Sequence, residues 1–273
     1  MERAGLIREL ERRAKELRKD ILRMTTGAGS GHPGGSLSAA DIVAVLYFHK
    51  MRLNPKKPDW PDRDRFIMSK GHCCPAQYAA LSELGYFGKG EIGNLRKLGC
   101  ILQGHPDMCK TPGVEINTGS LGQGLSVANG IALAGRIDRK DYRVYCVLGD
   151  GELQEGQVWE AAMSSSHYKL DSLVAIVDKN GLQIDGPTEE VMGLHSISDK
   201  FRAFGWNTME IDGHSIGEIL DALNTAEKMK GKPTLIVANT VKGKGVSFME
   251  GQVAFHGKAL DEEQLKKALK ELA

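Results

Sequence analysis

Arg143-Val-Tyr-Cys-Val-Leu-Gly-Asp-Gly151 and Leu173-Val-Ala-Ile-Val-Asp-Lys-Asn-Gly181 are two short apolar runs, each ending in glycine beside a side chain with a hard oxygen. Runs of this length, apolar throughout and bounded by turn residues, read as strands buried on both faces. The residues between them, from about Glu155 to Tyr168, read as a helix. Strand, helix and strand make a βαβ unit, whose two strands run parallel.

The same alternation extends outward. Upstream, Ile7, Leu10, Ala14, Leu17, Ile21 and Met24 repeat at steps of three and four, one apolar stripe of a helix over about residues 2–24. Gly27, Gly29 and Gly31 then end it. Ser38 followed by Asp41 reads as a capping box opening a helix to about Met51. Asn54 to Asp64 carries three prolines and much charge and reads as a loop. Arg65 to Ser69 is a strand, Gly71-His72 leads into a helix through Leu84, and Leu121 to Ile137 is another helix. Residues 99–120 are a long glycine- and proline-containing loop, and such loops inside compact domains are usually functional. Downstream come a strand at Asn207 to Ile211, a helix capped by Ser215 with Glu218, a strand at Thr234 to Ala238 and a helix from Asp261. The expected fold is α/β: a doubly wound parallel sheet flanked by helices, in one domain over residues 1–273.

Composition narrows the function. The chain has 273 residues, 41% of them hydrophobic, enough for one large core-bearing domain. With 36 Lys and Arg against 35 Asp and Glu, no basic excess argues for nucleic acid or an anionic membrane. The basic residues of the first helix are interleaved with Glu2, Glu9, Glu11 and Glu16, a solvated face. Five cysteines without a Cys-x-x-Cys pair argue against a disulfide framework or a zinc site and suit a reducing cytoplasm. No apolar run reaches the length of a signal peptide or membrane span.

The βαβ unit puts Asp150 and Asn180 just past the carboxyl ends of adjacent strands, where open α/β sheets bind ligands. A carboxylate and an amide oxygen suit a cation such as Mg²⁺, which relies on few protein groups plus phosphate oxygens and water. Ca²⁺ and Mn²⁺ accept the same oxygens. Glycines beside Asp150 let backbone approach a phosphate, and the following helix can direct its N-terminus at the anion. No Gly-x-Gly-x-x-Gly follows the first strand, which disfavours a nicotinamide-binding fold. Of the eight histidines, four lie in small-residue loops: His32, His72, His105 and His256. Flanked by glycine, each is better placed to reach a ligand than to fill a core, and imidazole suits proton transfer near neutral pH.

Taken in order, Ser30-Gly-His-Pro-Gly34, Ser69-Lys-Gly-His72, Gly104-His-Pro106, Thr118-Gly-Ser-Leu-Gly-Gln-Gly124, Gly149-Asp-Gly-Glu-Leu-Gln-Glu-Gly156, Asn180 and Lys242-Gly-Lys-Gly245 with His256-Gly257 resemble transketolase over nearly the whole chain, about residues 20–258. The resemblance implies the diphosphate-binding domain of a thiamine diphosphate fold. In that reading Asp150, Asn180 and the carbonyl of Leu182 hold a Mg²⁺ that bridges both phosphates of thiamine diphosphate. Gly119, Ser120 and Leu121 meet the cofactor through backbone, and Gly151 offers its amide to a phosphate. His72 sits by the diphosphate, where His256 also lies, and Lys242, fourteen residues before His256, adds positive charge there. His32, His105 and His256 line the substrate channel as catalytic residues. Glu155 and Glu160 match interface acids in a proton network linking two active sites, with Glu155 counted among both catalytic and cofactor-binding residues.

Two departures stand out. Ser120 replaces a proline common in full-length transketolases, and the chain is roughly half their length. The pyrimidine-binding and C-terminal domains, and the Glu that activates the aminopyrimidine, are expected on a partner chain. The helix from Asp261, with Leu265, Ala268, Leu269 and Leu272 on one face, reads as a finished end, so a naturally split subunit is expected over a truncated one. The implied enzyme is a heterotetramer of two plus two chains, active in the cytoplasm in the sugar-phosphate exchanges of the pentose phosphate pathway. It would move a two-carbon ketol unit from a ketose phosphate such as xylulose 5-phosphate to an aldose phosphate such as ribose 5-phosphate. Alternatives are a 2-oxo acid dehydrogenase first component, a deoxyxylulose phosphate synthase, or a non-catalytic cofactor-binding homologue. The Gly-His-Pro-Gly series favours transketolase over the first two.

Overall fold

The computed structural model describes residues 2–273. Helices α1 (Arg3–Ala28), α2 (Pro33–Ser38) and α3 (Ala40–Val45) come first, followed by strand β1 (Arg65–Met68) and helix α4 (Cys74–Leu84). Next are α5 (Gln123–Ile137), β2 (Val144–Gly149), α6 (Gly156–His167) and β3 (Leu173–Lys179). A two-residue hairpin, β4 (Leu182–Gln183) and β5 (Gly186–Pro187), precedes α7 (Thr188–Met192) and α8 (Ile197–Ala203). The chain closes with β6 (Asn207–Asp212), α9 (Ile216–Lys228), β7 (Thr234–Asn239) and α10 (Glu262–Glu271).

The main sheet has five strands in the order β1-β2-β3-β7-β6, and every pairing is parallel. Successive strand residues point to opposite faces, and both faces are covered. Phe66, Tyr145, Val147, Val174, Ile176 and Ile236 pack with α1, α3, α4 and α9 in one core. Ile67, Val144, Cys146, Leu148, Ala175, Val177 and Val237 pack with α5, α6 and α8 in a second. The doubly wound parallel arrangement expected from the sequence is therefore present, and it explains why these strands are apolar without alternation.

Local signals differ from their reading in two places. Helix α1 runs through Gly27 to Ala28, and Gly29 ends it in the left-handed conformation at φ 59°. Ser38 does not cap a following helix. It is the last residue of α2, and its hydroxyl bonds the Gly35 carbonyl and the Asp178 carboxylate. Asp41 likewise turns away from the backbone, toward Arg18 and His214. A long-range buried charge network has overridden a local capping pattern. By contrast, Ser215 accepts from the Glu218 amide and Asp261 forms a full capping box with Gln264.

The strand ends lie nearly level, Gly149 beside Asp178 and Asp178 beside Ala238 in the ladder. As a result the segments after β1, β2, β3, β7 and β6 all emerge at one edge, carrying Lys70, Asp150, Asn180, Lys242 and His214 respectively. Among the described residues no helix is long and apolar enough to cross a membrane.

Ile176 is 1% exposed in the central strand. Its replacement by Ala should cost about 2–5 kcal/mol, as for other large-to-small changes in close-packed cores. Urea unfolding should show this as a lower midpoint at an unchanged slope.

Candidate active site

A buried ion pair builds the floor of the site. Lys70, 2% exposed, and Asp178, fully buried, meet directly. The Lys70 ammonium also donates to the Gly35 carbonyl at 2.9 Å, while Asp178 accepts from Ser38 at 2.6 Å and from the Thr240 hydroxyl. Burial opposes charge on both groups, yet each keeps it: attraction to Asp178 holds the lysine above its usual range, and Lys70 holds the carboxyl below its own. One pair thus joins the ends of β1 and β3, the turn after β7 and helix α2.

A second carboxylate closes the adjoining wall. Glu152 is 3% exposed and accepts from the Gly122 and Gly149 amides, both at 3.0 Å, and from the Ser69 hydroxyl. The loop at 118–122 is thereby drawn against the ends of β1 and β2. Gly71 permits the approach, since a Cβ there would lie 2.6 Å from the Gly119 nitrogen. Gly119 adopts φ +136°, and a Cβ on it would sit 2.8 Å from the His105 ring.

These walls enclose a cavity of about 290 Å³. His32, His72, His105 and His256 line it together with Gly119, Leu121, Asp150, Gly151, Asn180, Leu182 and Lys242. The ring centroid of His32 lies 5.0 Å from that of His72, 5.6 Å from His256 and 6.4 Å from His105. Four loops far apart in sequence thus converge on one point. Burial, reinforced by neighbouring positive charge, lowers all four imidazoles: His32 and His72 to about 4, His256 to about 3, and His105 in the same direction. They are neutral at pH 7, each ring carrying one donor and one acceptor. The Nδ1 atoms of His32 and His256 are buried without a partner in the protein, as expected of groups awaiting a polar ligand.

The cation set also comes together. Asp150 Oδ1 accepts from the Gly151 amide at 2.9 Å and Oδ2 from the Gly181 amide at 2.6 Å. Each oxygen keeps a lone pair free. Burial raises the Asp150 pKa despite those amides, so an adjacent cation would relieve an unfavourable charge. Asn180 Oδ1 accepts from the Leu182 amide at 3.2 Å. The Leu182 carbonyl takes the Lys242 ammonium at 2.8 Å, so positive charge already occupies the position assigned to a cation ligand. Lys242 is 3% exposed and forms no ion pair among the described residues. Burial and the Lys70 charge lower its pKa, which makes it a receptive site for an anion. One carboxylate, one amide and one carbonyl fit Mg²⁺ whose remaining ligands are phosphate oxygens and water.

Not every expected residue joins the cavity. Ser120 is exposed, with only its neighbours Gly119 and Leu121 lining the wall. Glu155 is exposed at the start of α6, its Cβ against Gly122, and Glu160 is exposed on the same helix. No motif in the sequence assigns a role to Lys70, Asp178 or Glu152. The one available signal is a charged residue inside Leu173-Val-Ala-Ile-Val-Asp178, because a buried aspartate requires a partner.

Two outcomes follow from these charges. Replacing Asp178 by Ala leaves Lys70 buried and unpaired and should cost about 3–5 kcal/mol in urea unfolding. The apolar pair Lys70→Met with Asp178→Leu should recover most of that loss. Separately, the unfolded chain protonates its histidines near pH 6.5, whereas His32, His72 and His256 resist until about 4 or 3. Stability contributed by these imidazoles is therefore lost as pH falls from about 6.5 toward 4. The raised carboxyls of Asp150 and Glu152 act in the opposite direction. The fall should be shallower in a His32→Asn, His256→Asn variant, measured by thermal unfolding between pH 7 and 4.5.

The family described as "transketolase, thiamine diphosphate binding domain" matches residues 11–273. A 6-deoxy-6-sulfo-D-fructose transketolase subunit from Clostridium sp. (strain MSTE9) is 47% identical over 97% of this chain and 96% of its own length. An apulose-4-phosphate transketolase subunit from Phocaeicola vulgatus is 43% identical over 98% of this chain and 95% of its own. The transketolase of Homo sapiens is 43% identical over 97% of this chain, which spans only 42% of that protein. The crystal structure of transketolase from Campylobacter jejuni superposes with a TM-score of 0.93 at 37% identity, covering 97% of this chain and 43% of that one. With the motifs, the fold and these relatives in agreement, the chain belongs to the transketolase family, as its thiamine diphosphate-binding domain.

Proposed function

We propose that this chain is the diphosphate-binding subunit of a two-chain transketolase, loaded with thiamine diphosphate through Mg²⁺ and active with a C-terminal transketolase subunit in a two-plus-two heterotetramer. The observation that carries the reading is the convergence of four neutral histidines on one cavity beside Asp150, Asn180 and Lys242. Two relatives of matching length that are named as subunits support the split organisation.

Thiamine diphosphate, when bound, supplies the stabilised carbanion chemistry that two-carbon transfer needs. The chain's own groups bind and orient. Asp150, Asn180 and the Leu182 carbonyl would hold the cation, with Lys242 moving from that carbonyl to a phosphate oxygen. Neutral His32, His105 and His256 would hydrogen-bond the hydroxyls and carbonyl of the ketose and carry protons at those oxygens. Glu155, exposed beside Gly122, and Glu160, exposed on the same helix, would face a neighbouring subunit. The donor is a ketose with an anionic end. Xylulose 5-phosphate with ribose 5-phosphate as acceptor is the first pair to test, beside the sulfofructose and apulose 4-phosphate for which the relatives are named.

Thiamine diphosphate with Mg²⁺ should bind the chain weakly alone and tightly when mixed with its C-terminal partner subunit. Transfer from one of these ketoses should appear only in the mixture, and pyruvate should not replace the ketose. Asp150→Ala should weaken cofactor binding about tenfold or more, by the scale of lost metal-site groups. Absence of cofactor binding in both samples would refute the reading.

A further inference from the structure

Lys242 sits in a segment that is hard to hold still. Gly243, Gly245 and Gly251 adopt φ of +81°, +93° and +69°, so the backbone from Thr240 to Gly251 relies on external pins. Around Lys242 these pins are the Thr240 amide on the Lys179 carbonyl at 3.0 Å, the Thr240 hydroxyl on Asp178, the Gly243 amide on the Gly34 carbonyl at 2.9 Å, and the Val241 amide on His214 Nε2 at 2.8 Å; farther along, Ser247 is tied to Glu271.

The pin on the Val241 amide is the end of a chain of oriented groups. Because the Val241 amide donates to Nε2, the His214 proton resides on Nδ1, which donates to Asp41 Oδ2 at 2.7 Å. Asp41, 6% exposed, is gripped by both terminal nitrogens of Arg18 at 3.0 and 2.6 Å, and Arg18 is itself 6% exposed. A carboxylate that fixes the tautomer and direction of an imidazole is the same device that orients metal-ligating histidines. Arg18 also supports the segment directly, since a Cβ on Gly245 would lie 3.1 Å from its Cδ.

We propose that His214 is a positioning residue for cofactor binding: directed by Asp41 and Arg18, it fixes the Val241 amide and so places the next residue, Lys242, for the diphosphate. This rests on the proposed function for the identity of the anion. His214 does not line the cavity; it acts through one backbone hydrogen bond.

Two substitutions separate its two bonds. His214→Asn keeps a donor for Asp41 but loses the acceptor for Val241, while His214→Gln restores an acceptor at the Nε2 distance. In the full complex with the partner subunit, His214→Asn should weaken thiamine diphosphate binding about five- to twentyfold by calorimetry, with kcat at saturating cofactor little changed. His214→Gln should recover most of the affinity. In a Lys242→Met background, His214→Asn should add no further loss, since its effect passes through that ammonium. Independently of cofactor, exchange of the Val241 amide hydrogen should quicken in His214→Asn and slow again in His214→Gln. Equal affinity losses in both variants, or full additivity with Lys242→Met, would reduce His214 to a stability role and overturn the proposal. If wild-type protein itself fails to bind thiamine diphosphate while Val241 exchange still follows the expected order, the cofactor assignment fails and the hydrogen bond stands.

Discussion

The buried pairing of Lys70 with Asp178 is the constraint on which the rest of the site hangs. It lies where four segments meet: the ends of β1 and β3, the turn after β7 and helix α2. Two charges removed from water demand compensating partners, and the partners found here come from helix α2 and from the turn after β7. Satisfying the pair therefore assembles the floor of the cavity. The Ser38 hydroxyl, a helix cap by its local pattern, is consumed in this way.

Charge is distributed unevenly above that floor. Lys70 is matched by Asp178, whereas Lys242 has only a carbonyl. Asp150 has two amides but no cation among the protein groups. The cavity thus separates an unmatched positive group from a buried carboxylate. A multiply charged diphosphate carrying a divalent ion meets both needs together, better than an anion or a cation alone. The histidines contribute no net charge at neutral pH, because burial and neighbouring basic groups keep them unprotonated. They remain free to give and take hydrogen bonds with the hydroxyls of a polar ligand.

Much of this is legible in the residues. The βαβ core is readable because Val144–Gly149 and Leu173–Lys179 are apolar over nearly their whole length, and Asp150 and Asn180 follow from their place after those strands. The four loop histidines are readable because glycine neighbours leave an imidazole little to pack against. The Lys70–Asp178 pair and the Glu152 wall are not, since each joins residues 108 or 83 positions apart and no local pattern encodes such a partner. The same is true of the hairpin at Leu182–Pro187, only two residues a side. Ser38 shows the reverse error, in which a good local signal lost to a distant buried carboxylate.

The meeting of Gly71 with Gly119 reaches beyond chemistry to the routes by which this chain can vary. Neither position has room for even a methyl group. A substitution at Gly71 cannot be rescued by trimming a neighbouring side chain, because the obstacle is peptide. At Gly119 the obstacle is the ring of His105, which the cavity itself employs. Nearby Ser120 is exposed and meets no such obstacle. Over generations the loop would diversify through its exposed residues and its length, while the two glycines at its base stay fixed as paired hinges of inheritance.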